Sequence, residues 1–91
     1  MERDELIHRA AVLCAALMKG FVLSYTDMNG VHTLKVDTAG DVWVKELESE
    51  EFVKSSLVVD IKFLQKIAFE LSEIQYLEIR NYLITKNFIW R

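Results

Sequence analysis

Asn29-Gly30, set between two runs of alternating polarity, constrains the fold more than any other stretch of the chain. The dipeptide favours a two-residue hairpin turn, whose central residues adopt positive φ. A turn centred there pairs Met28 with Val31 and predicts strands over 21–28 and 31–38. Tyr25 then faces Leu34, Leu23 faces Val36 and Phe21 faces Thr38. On the opposite side Thr26 meets Thr33, Ser24 meets Lys35 and Val22 meets Asp37. One face of this ribbon is largely apolar and the other largely polar, so turn and periodicity agree.

Asp37-Thr-Ala-Gly-Asp41 predicts a second reversal, into a third strand over 41–47. A three-residue loop with Gly40 left-handed pairs Asp37 with Asp41 and adds Val42 and Val44 to the apolar face, with Trp43 outward beside Lys35. A two-residue Ala39-Gly40 turn would reverse those faces. Upstream, Leu6, Ile7, Ala10, Leu13, Cys14, Leu17 and Met18 recur at helical spacing. They predict a helix over 4–19, with acidic residues at its start and Gly20 ending it. Downstream, Ser49-Glu50-Glu51 resembles a helix start. Val53, Leu57, Ile61, Leu64, Ala68 and Leu71 then predict a helix over 50–71, although Leu57-Val58-Val59 also suits an extended piece. Ser72-Glu-Ile-Gln75 fits a capping box, with Leu71 and Tyr76 as its staple, and predicts a break before a last helix over 73–88. A helix continuous through Ser72 is the alternative. The expected fold is an α+β single domain over 1–91, with helices on the inner face of a three-stranded antiparallel meander (α-β-β-β-α-α).

Composition narrows the function classes. With 91 residues there is room for one core, and 52% hydrophobic residues suit a folded globule. A net charge of −3 argues against a broad basic face for nucleic acid. The chain contains no proline, so it holds no PxxP ligand. Its one cysteine, Cys14, closes no disulfide within the chain and reads as a small core residue. An acidic opening is unlike a secretory signal. The longest apolar run, Ala10 to Met18, is about half of what a membrane span needs. A cytoplasmic protein with no membrane partner and no cofactor is expected.

Chemistry-bearing patterns are few. Phosphate-binding loops, HExxH, paired cysteines and nucleophile elbows are all missing from the sequence. The expected registers set Asp27 opposite His32 and Glu46 beside it. A histidine between two carboxylates could hold a metal or act as an acid–base group. The blander expectation is a polar end of the sheet, and neither a catalytic set nor a metal site is assigned. His8, near Asp4 and Glu5, is expected to be solvated.

The surplus of apolar residues is more informative. In the last predicted helix Ile74, Leu77, Ile84 and Phe88 form one stripe, and Tyr76, Ile79, Leu83 and Tyr82 crowd another. A helix lying on a small sheet needs only one. Phe88, Ile89 and Trp90 follow, an apolar stretch that must be tied down by its own domain or by another chain. On the outer face of the sheet Val22, Met28, Val31, Trp43 and Leu47 sit among polar residues, the make-up of a binding hot spot. Glu46, Glu48, Glu50 and Glu51 form an acidic patch, usually a solvated helix start, but also able to occupy a basic groove as a nucleic-acid mimic. These features predict a small acidic protein–protein interaction module, an inhibitor or adaptor that binds a larger protein or pairs as a homodimer, with no direct binding of nucleic acid. The order of elements resembles in outline that of certain anti-CRISPR proteins, small phage-encoded inhibitors of host defence. That resemblance implies a role by binding and rests on no motif.

Overall fold

The structure, a computed structural model, describes residues 2–86. Helix α1 (Arg3–Met18) leads into strands β1 (Leu23–Asp27), β2 (Gly30–Val36), β3 (Val42–Glu46) and β4 (Val53–Lys54). Helices α2 (Ile61–Glu70) and α3 (Glu73–Thr85) follow. The α+β architecture is the expected one, with four strands in place of three. All four pair antiparallel in the order β1-β2-β3-β4.

α1 ends as its sequence requires. Gly20 takes φ +91°, Phe21 N–H donates to Ala16 O, and Gly20 N–H donates to Leu17 O. These two bonds are the Schellman pair that satisfies the last carbonyls of a helix. They also draw Phe21 out of the ladder, so β1 begins at Leu23 and not at residue 21.

The β2–β3 register is the expected one, with His32 opposite Glu46, Lys35 opposite Trp43 and Val36 opposite Val42. Asp37 N–H donates to Asp41 O and Gly40 takes φ +88°, as the three-residue loop demands. The β1–β2 register differs from expectation. Asp27 pairs with Gly30, so Met28-Asn29 forms the turn, and Leu23 faces Leu34 while Tyr25 faces His32. Gly30 still supplies a positive φ, +112°, but as the first residue of β2. The shift is two residues on the partner strand, and with a period of two it leaves every side chain on its expected face. It sets Leu23 directly against Leu34, both deeply buried, which makes an apolar cross-strand pair at the centre of the core.

The expected helix over 50–71 is corrected. Its first half is extended: Val53 pairs with Val44 and Lys54 with Trp43, and Ser55 N–H donates to Val42 O. The helix begins only at Ile61, where the Asp60 side chain accepts from Phe63 N–H at 2.9 Å. The β-branched pair Val58-Val59 disfavours helix just upstream, and an aspartate is a strong N-cap. The break at Ser72 is present. Its hydroxyl accepts from Gln75 N–H and the Gln75 side chain accepts from Ser72 N–H, which completes the capping box. Within the described residues α3 ends at Thr85.

All three helices pack on the inner face of the sheet, and α1 is the central one, touching α2, α3 and β2. Val12, Leu13, Ala16 and Leu17 of α1 meet Leu64, Ile67 and Ala68 of α2, Tyr76, Ile79 and Leu83 of α3, and Leu23 and Leu34 of the sheet in one core.

Candidate functional site

α3 divides sharply into two faces. Tyr76, Ile79 and Leu83 are buried, and Tyr82 is half-buried, with its hydroxyl donating to Lys19 O at 2.7 Å and its ring edge-on to Phe21. The other stripe is open: Ile74 is 72% exposed, Leu77 45% and Ile84 54%. At 100° per residue this stripe lies roughly 150° round the helix from the buried one. Asn81 falls between Leu77 and Ile84, so the open positions 74, 77, 81 and 84 run in 3-4-3 spacing. Phe88 continues that spacing in sequence, but Phe88, Ile89 and Trp90 lie outside the described residues.

A buried charge fixes the start of α3 against α1. Arg9 is only 5% exposed, donates to Glu5 Oε1 at 3.0 Å and to Glu73 Oε2 at 2.6 Å, and lies 4.3 Å from the centre of the Tyr76 ring. Among the described residues its Nε has no hydrogen-bond partner. The bond to Glu73 holds the guanidinium pKa above its ordinary value, against the opposing pull of burial. Nothing in the sequence singled Arg9 out. The only hint was its place among the apolar positions of α1, next to Ala10.

The outer face of the sheet is less uniform than expected. Trp43 is half-buried and its Nε1–H donates to Asp37 Oδ2 at 2.8 Å. Asp37 Oδ1 accepts from the N–H groups of Ala39 and Asp41, so one carboxylate fastens both the loop and the indole. These donors, the indole first, hold the Asp37 pKa below the usual carboxylate range. Phe52 lies on the same face, with Lys35 Nζ 4.2 Å and Lys45 Nζ 5.8 Å from its ring centre. Lys35, Asp37, Trp43, Glu51 and Phe52 line one shallow hollow. Met28 is at the turn tip and fully exposed, and Val22 precedes β1. Val31 begins the outer row of β2, two rows from Trp43, with Thr33 and Lys45 between. The expected hot-spot residues therefore do not form one continuous patch around Trp43.

At the other end of the sheet His32 is buried, with Nδ1 3.4 Å from Glu46 Oε1. Its ring stands 5.3 Å from that of Tyr25, which meets Phe63 edge-on. Asp27 is not opposite His32, because the observed register pairs it with Gly30. Of the expected trio the described side chains are His32 and Glu46, and no group of three metal-ligating side chains occurs among the described residues. Glu48, Glu50 and Glu51 are exposed on the β3–β4 connection, not on a helix start. Glu46 and Glu51 line a common cleft of about 400 Å³ with Val44 and Val53. Cys14 is partly buried in an apolar cleft of about 320 Å³ with Met18, Val42 and Val58.

No helix among the described residues is long and apolar enough to cross a membrane. Compared with known proteins, the chain matches no family model, no curated protein and no solved structure.

Proposed function

We propose that the protein is a small protein–protein interaction module, an inhibitor or adaptor in kind, whose docking element is the outer face of α3. The observation that supports this reading is the open stripe of Ile74, Leu77 and Ile84 on the side of the helix opposite its buried stripe. A helix that packs only on its own domain gains nothing from apolar residues on its solvent side. The 3-4-3 spacing fits the a and d positions of a helix–helix seam, and Asn81 sits at an inner a position. An asparagine there pairs with its counterpart on a facing helix and sets register at some cost in stability. The occupant that offers such a counterpart is α3 of a second copy.

Light scattering tests this reading directly. The mass expected at about 100 µM, a concentration that populates a modest interface, is that of two chains. Leu77→Lys combined with Ile84→Lys should return the 10.6 kDa mass of one chain with an unchanged circular dichroism spectrum. A parent protein that stays a single chain at every concentration, or a variant that still pairs, overturns the assignment of this face.

A further inference from the structure

The two borders of the sheet are built differently. β4 is two residues long, bears Lys54, and continues into a segment tied back to β3 through Ser55 N–H and Val42 O. Short, charged borders of this kind resist pairing with another chain. β1 is longer, and its one charged residue, Asp27, stands at the hairpin end. Leu23-Ser-Tyr-Thr-Asp27 contains no proline or lysine, and among the described residues the strand pairs with β2 alone. Asp27 and Gly30 close the hairpin. By the alternation of an antiparallel ladder, Leu23, Tyr25 and Asp27 then turn their peptide groups toward β2, and Ser24 and Thr26 turn theirs to the open side.

A groove follows that open side. It consists of two adjoining hollows of about 190 and 130 Å³ that share Ser24, Leu71 and Gln75. One wall is β1 and the other is the junction of α2 with α3, while the core residues Ile67 and Ile79 reach its surface. Among the described residues the charged side chains lining it are Glu70, in the first hollow, and Glu78, in the second. Both are exposed.

We propose that this groove is a strand-addition site for an extended peptide segment with lysine or arginine at alternate positions. The segment's backbone pairs with the outward peptide groups of Ser24 and Thr26. Alternate side chains of a strand share one face, so its cations reach the Glu70 and Glu78 side together. A second β1 fits less well, because Ser-Tyr-Thr-Asp brings no cation to two glutamates. The site is distinct from the outer face of α3, since Gln75, Glu78 and Ile79 line the groove while Leu77 and Ile84 lie on the far side of that helix, and Ile74, one turn before Glu78, marks the border between the two.

The test uses the full chain, labelled with ¹⁵N, and a capped octapeptide of alternating lysine and valine, with a glutamate–valine octapeptide as comparator. The lysine peptide should shift the amide signals of Ser24 and Thr26 and slow their hydrogen exchange at about 1 mM, the range of a weak strand addition. The glutamate peptide should leave them unmoved. Thr26→Pro, which removes one outward donor at a border position that tolerates proline, should weaken binding about tenfold, the equivalent of one net hydrogen bond. Glu70→Lys with Glu78→Lys, both exposed and away from the core, should reverse the preference between the two peptides. Shifts that map only to other surfaces, equal binding of both peptides, or an unreversed preference in the lysine variant each overturn the proposal.

Discussion

Arg9 shows what a single buried charge does in so small a core. Its guanidinium is out of water and reaches across from α1 to Glu73 at the start of α3, where a carboxylate also complements the helix dipole. A buried charge that loses a partner costs more than one replaced by an apolar side chain of similar length. Glu73→Ala should therefore destabilise by about 1–2 kcal/mol, the range for a charged hydrogen bond whose partner is largely exposed. Arg9→Met, which keeps the stem against Tyr76 and removes the charge, should cost less. Urea unfolding of the two variants decides the order, and a larger loss in Arg9→Met would show that the pair itself stabilises the fold. Asp37 is the corresponding case at the surface. Its pKa is depressed in the folded protein, so its contribution is complete above the ordinary aspartate value of about 4. It is lost as pH falls through the lower folded value. The Trp43 Hε1 resonance should move with a midpoint below that of a free aspartate, and Asp37→Asn should abolish the transition.

Among the elements, those with a local punctuation mark were legible in the sequence. Gly20 ended α1, Gly40 fixed the β2–β3 loop and its register, and Ser72 with Gln75 separated two helices. Each of these residues satisfies a backbone requirement within a few positions of itself. The extent of α2 was not legible, because Val53, Leu57 and Ile61 fit a helical period by coincidence while Val53 in fact pairs with Val44, nine residues upstream. The decisive mark was Asp60, an N-cap that the apolar periodicity concealed. The first hairpin failed by two residues for a related reason. Asn29-Gly30 announces a turn, but the contact between Leu23 and Leu34 selects which residues occupy its centre, and that contact is tertiary. Of the candidate site, the surplus stripe on α3 could be read from spacing. Its orientation could not, since the choice between the two stripes depends on where α1 lies. The two caps make a quantitative comparison. Asp60→Ala and Ser72→Ala should each cost about 1 kcal/mol, the usual value of an N-cap. In the Asp60 variant, amide exchange should speed up over Ile61–Leu64 before it does in α3. Uniform exchange in both helices would mean that the caps do not act locally.

For the whole molecule, charge separates the two proposed surfaces. Each chain carries a net charge of −3, and the α3 seam is flanked by Glu73, Glu78 and Arg80. Pairing two copies therefore works against repulsion between like-charged bodies, although the contact itself is apolar. Salt shortens the range of that repulsion, from a Debye length of about 30 Å at 0.01 M to about 8 Å at 0.15 M, and leaves apolar burial in place. Self-association through α3 should tighten severalfold between those ionic strengths. The β1 groove works in the opposite sense, since it draws a cationic strand toward Glu70 and Glu78 on an acidic protein, and screening removes that attraction. Binding of the lysine–valine peptide should weaken over the same interval. Sedimentation equilibrium for the dimer and amide-shift titration for the peptide, each run at both salt concentrations, read the two trends independently. Opposite slopes follow only if the dimer contact is apolar and the groove electrostatic. Parallel slopes would mean that one surface serves both events, and the division of labour between helix and strand edge would then fail.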